Sequence, residues 1–63
     1  MRMEAINWLR DSLLGRFVYP LANEGVIDLQ NLLDKKDPEL LDRLGFDARE
    51  KSRLLVGLQK LSN

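Results

Sequence analysis

Neither cysteine nor histidine occurs among the 63 residues of this chain. Without cysteine, no disulfide can reinforce the fold and no thiolate metal site can form. Without either, the usual general base near neutral pH and the most reactive side-chain nucleophile are both missing. Ser12, Ser52 and Ser62 have no base beside them in sequence. Gly15, Gly25, Gly45 and Gly57 stand apart, so there is no glycine-rich phosphate loop. Asp34 and Asp37 are close enough to suggest a carboxylate pair, but Asp37 precedes Pro38 in a helix-capping position and Asp34 reads as solvated. The chain is therefore read as a non-enzyme with no cofactor, no metal and no small-molecule substrate. Net charge is also lacking: ten bases balance ten acids, so no general attraction to nucleic acid or membrane is expected. No apolar run approaches the roughly 18 residues that a spanning helix needs, and no secretory signal pattern is visible. These absences lead to an intracellular, cytoplasmic expectation.

What is present is leucine and helix punctuation. At this length the chain is one domain, residues 1–63, burying only about 60% of its unfolded surface. Asp37-Pro38 supplies a cap and a proline at the first helical position, and Gly45 ends that helix in a left-handed conformation. Asp47 then opens another, with Glu50 three residues on to complete a capping box.

Five helices are predicted. The first runs from Met3 to Leu14 with Ile6, Leu9 and Leu13 at helical spacing. The second covers Arg16 to Asn23, with Phe17 and Leu21 on one face; Pro20 is tolerated there only in the first turn. Asp28 caps a short third helix carrying Leu29, Leu32 and Leu33. The fourth is Pro38 to Leu44. The fifth is Ala48 to Leu61, with a stripe of Leu54, Leu55, Leu58 and Leu61. Short helices with tight connections make an all-α, five-helix bundle. Trp8 is read as a core anchor, and Val18 and Tyr19 as partly exposed.

Charge is unevenly distributed. From Ala22 to Asp42 there are six acids and two bases, a net of −4; from Arg43 to Asn63 there are five bases and two acids, a net of +3. An acidic middle and a basic end are expected to occupy opposite sides of the molecule.

Taken together, the residues resemble the sterile alpha motif (SAM) domain. The matching features are Trp8-Leu9; Leu14, Phe17 and Leu21; Ile27-Asp28 with Leu32; Leu41, Leu44, Gly45 and Phe46; and a basic last helix with Lys51, Arg53, Leu54, Leu55, Leu58 and Leu61. The chain departs from that pattern in three places. There is an extra residue between Leu21 and Ile27, Lys36 stands in a usually apolar slot, and Arg49-Glu50-Lys51 replaces the usual stretch at the entrance to the last helix. The resemblance covers nearly the whole chain, and since the chain stops just after its last helix the domain is expected to be excised from a larger protein.

It also implies a protein–protein interaction module that associates, as homo- or hetero-oligomer, with another SAM domain. An end-helix surface of Arg49, Lys51, Ser52 and Arg53 would meet a mid-loop surface of Asp28, Asp34, Asp37, Glu39 and Asp42. The alternative it allows is binding of RNA hairpins through Arg49, Lys51, Arg53 and Lys60, for which an isoelectric point near 6.2 is poor support. A DNA-binding helix–turn–helix or helix–hairpin–helix reading ranks lower, because the hairpin that grips phosphate is missing.

Overall fold

The computed structural model describes residues 1–62. Among them the chain forms α1 (Met3–Asp11), a single 3-10 turn (Gly15–Phe17), α2 (Val18–Asn23), α3 (Leu29–Asp34), α4 (Pro38–Arg43) and α5 (Ala48–Ser62). The five predicted helices are all present, with no strand among the described residues. The radius of gyration is 10.3 Å, matching the value of about 10.6 Å for a compact chain of this length.

Local chemistry sets most helix starts. Asp28 caps α3 by accepting from the Asn31 amide at 2.9 Å, and Asp37 caps α4 by accepting from the Glu39 amide at 3.2 Å. The capping box of α5 closes in both directions: the Glu50 amide donates to Asp47 Oδ1 at 2.7 Å, and the Asp47 amide donates to Glu50 Oε1 at 3.0 Å. Pro20 falls in the first turn of α2, where its missing N–H is harmless.

One device ends three of the helices. After α1 the amide of Leu14 returns to the Leu9 carbonyl and that of Leu13 to Arg10. After α2 the same pair of bonds links Val26 to Leu21 and Gly25 to Ala22; after α4 it links Phe46 to Leu41 and Gly45 to Asp42. This is the Schellman motif, which needs a left-handed residue at its corner and favours an apolar contact across it. The corners have φ of 62° at Leu13, 89° at Gly25 and 96° at Gly45. The flanking pairs Leu9 and Leu14, Leu21 and Val26, and Leu41 and Phe46 are all buried.

The core is completed by Phe17, Leu32, Leu54 and Leu58, with Trp8, Val18, Leu29, Leu33 and Leu44 packed partly buried against it. Phe17 stacks on Phe46 with ring centroids 3.6 Å apart and planes 13° from parallel. Trp8 joins α1 to α5, where a Cβ on Gly57 would lie 2.8 Å from its ring.

The structure corrects the sequence reading at three points. The first helix stops at Asp11 instead of reaching Leu14, because the chain turns left-handed at Leu13. Leu13 is thereby thrown outward, 74% exposed, and Leu14 takes the core position. The segment before α2 is a 3-10 turn, so α2 begins at Val18 rather than Arg16. On α5 only Leu54 and Leu58 are buried, while Leu55 and Leu61 are exposed. Leu54 and Leu58 are four apart and point at the core; Leu55 is rotated about 100° away from Leu54. Leu61 lies in the last turn of α5, beyond the packed part of the helix.

Candidate interaction surfaces

The entrance to α5 is the most interlinked part of the surface. The Arg16 guanidinium donates to both Glu50 oxygens, at 2.6 and 3.0 Å, and to the Gly45 carbonyl at 3.3 Å. It also lies 4.2 Å from the Phe17 ring centroid, so it packs over an aromatic face while pairing with a carboxylate. Hydrogen bonding from Arg16 foremost, then from the Asp47 amide, holds the Glu50 carboxyl below its ordinary range. Sequence reasoning assigned Glu50 its capping role but missed Arg16, which stands 34 residues away and carries no local signal.

The nine residues expected to form partner surfaces divide by what they touch. On the basic side, Arg49 and Ser52 are exposed and Arg53 is half-buried. Neither arginine forms an ion pair among the described residues. Lys51 is different: its ammonium lies 2.5 Å from Asp42, with the lysine side chain 29% exposed. On the acidic side, Asp34, Asp37 and Glu39 are exposed and have no ion-pair partner among the described residues. Asp28 is occupied by its cap and by Arg2 at 4.0 Å.

The acidic middle and the basic end are therefore not fully separated. Asp42 and Lys51, one from each segment, pair with each other. Glu24 of the acidic segment is held by Arg43 of the basic one at 2.6 Å. Lys35 adds a bond from its ammonium to the Glu24 carbonyl at 2.7 Å. The opposite-sides expectation is corrected accordingly: tertiary packing uses part of each charge set to join α2 and α5 to α4. Among the described residues, the acids of the middle segment left without an ion pair are Asp34, Asp37 and Glu39 around the α3–α4 loop, with Lys36 unpaired beside them, and the bases of the end segment left over are Arg49, Arg53 and Lys60 on α5.

Two of these charges stand against their own helices. Asp34 is the last residue of α3, where the negative end of the helix dipole disfavours an acid. Arg49 is in the first turn of α5, where the positive end disfavours a base. Each placement costs about 0.3–1 kcal/mol relative to an uncharged residue.

Two shallow grooves flank α5. One, of about 410 Å³, is lined by Arg2, Glu4, Asp28, Leu29, Leu33 and Leu61 among others. The other, of about 360 Å³, lies between the end of α1 and the second half of α5. No group of three or more carboxylates is arranged to hold a metal among the described residues. No helix among them is long and apolar enough to cross a membrane. No family model, no curated protein and no solved structure matches this chain.

Proposed function

We propose that this domain is a protein–protein interaction module of the sterile alpha motif kind, in which the unpaired acids of one copy meet the unpaired bases of another SAM domain. The observation that carries the reading is the charge placement just described. Asp34 and Arg49 are each unfavourable for the helix that bears them, exposed, and without an ion-pair partner among the described residues. Neither residue forms an ion pair among the described residues that would offset its position on the helix dipole; an intermolecular contact between opposite charges would. Asp37 and Glu39 extend the acidic surface, and Ser52 and Arg53 the basic one. Two different patches on one protomer give a heterologous contact, which propagates rather than closing.

Asp42 and Lys51 contribute less directly to such a contact, since each already holds the other. Reversing either would disturb the fold and the interface together. Asp34→Lys and Arg49→Glu avoid that difficulty, because both reversals suit the helix dipole. In sedimentation at low salt, the wild type is expected to associate with rising concentration. Each single variant is expected to remain monomeric with unchanged or higher stability, and an equimolar mixture of the two to re-form a complex. A wild type that stays monomeric at millimolar concentration removes self-association. A mixture that fails to pair removes the assignment of these surfaces.

A further inference from the structure

The groove between α1 and α5 brings Leu13 and Asp11 of the first corner against Arg53, Val56, Gly57 and Lys60 of the last helix. Leu13 is anomalous there. Three helices end in the same motif, and at the other two the left-handed corner is glycine. A leucine in that conformation costs about 1–2 kcal/mol of backbone strain. Its side chain is 74% exposed, so burial within this domain does not offset the cost. Val56, on the facing helix, is 49% exposed.

The surroundings are basic. At 100° per residue, Arg49, Arg53, Val56 and Lys60 fall within about 60° of one another on α5. They form a stripe of three bases around one apolar residue. None of the three bases forms an ion pair among the described residues, and one carboxylate, Asp11, lines the groove opposite them.

We infer that this groove is a docking site for an acidic peptide segment that inserts a bulky apolar side chain between Leu13 and Val56 while its carboxylates lie along Arg53 and Lys60. Charge complementarity selects the occupant: an apolar anchor alone would not require the stripe, and an acidic chain alone would not require a strained, exposed leucine. The site differs from the head-to-tail surfaces. It shares Arg53 with them, and Arg49 at the far end of the stripe, but Leu13, Val56 and Lys60 have no part in that contact.

The test is an NMR titration of the intact chain at low salt. The probe is a short synthetic peptide with a central Leu-Phe pair between blocks of glutamate. The Leu13 and Val56 methyl signals are expected to shift saturably. Lys60→Glu is expected to weaken binding at least about tenfold, and Leu13→Gly to do the same while leaving the chain folded and no less stable. A control peptide with Ser-Ser in place of Leu-Phe that binds equally well would overturn the proposal, since attraction would then be charge alone. Shifts centred elsewhere would overturn it too. So would Leu13 shifts that grow with protein concentration in the absence of peptide, which would make the occupant a second copy.

Discussion

Leu13 and Gly57 show how a single backbone position constrains this small molecule from opposite directions. Leu13 holds a φ of 62°, which glycine adopts freely. Leu13→Gly removes the strain and sacrifices little packing. Thermal unfolding is expected to move up by a few degrees, corresponding to about 0.5–1 kcal/mol after the entropy cost of glycine. At Gly57 the constraint is space. A Cβ there would lie 2.8 Å from Trp8 Cζ2 and 3.2 Å from Cη2, and these atoms belong to a rigid ring. Gly57→Ala gains up to about 1 kcal/mol of helix propensity but forces the tryptophan or α5 to shift, costing about 1–3 kcal/mol. Urea denaturation is expected to register a net loss. A gain would mean that the indole yields easily.

At the scale of the element, the start of α5 depends on a carboxylate doing two things at once. Glu50 closes the capping box and receives Arg16 from the far side of the core corner. Its folded pKa lies below its ordinary value, so its contribution to stability is present above the unfolded value of about 4.3 and is lost as pH falls through the folded value. Stability measured on descending pH is expected to show a component in that acid window which Glu50→Gln abolishes. If the profiles of wild type and variant run parallel there, the Arg16 contact contributes nothing at this corner. The helix boundaries that were legible in sequence are those set by neighbours. Asp28, Asp37 and Asp47 cap within three residues, and Gly45 turns the chain where it stands. Leu13 was misread because an apolar residue at helical spacing carries no sign that the helix has already ended. Leu55 and Leu61 were misread because a stripe on a wheel does not say how wide a face its neighbours cover.

For the molecule as a whole, zero net charge conceals a division between charges that serve the fold and charges left over. The candidate surface residues could be named from the sequence, but which of them remained free could not. Asp42 and Lys51 are nine residues apart, and Glu24 and Arg43 nineteen. Their pairing follows from how α2, α4 and α5 pack. Exposed pairs of this kind are weak. A double-mutant cycle with Asp42→Asn and Lys51→Met is expected to return a coupling of at most about 1 kcal/mol. Association through the leftover charges is expected to fade as salt shortens the Debye length from about 10 Å at 0.1 M to about 3 Å at 1 M. Sedimentation across that range measures it.

The repeated helix ending has a bearing on what changes of chain length this domain could accept. In each such corner, the residue before the bend and the residue after it both enter the interior, five positions apart. An added residue anywhere between Leu41 and Phe46 would swing an aromatic ring out of the centre and carry the whole last helix with it. The stretch from Lys35 to Asp37 is exposed and contains no residue of the interior. Lengthening before the Asp37 cap is therefore expected to be absorbed there without loss of the fold, and a tag spliced into that loop is expected to block the acidic contact surface while leaving the core intact.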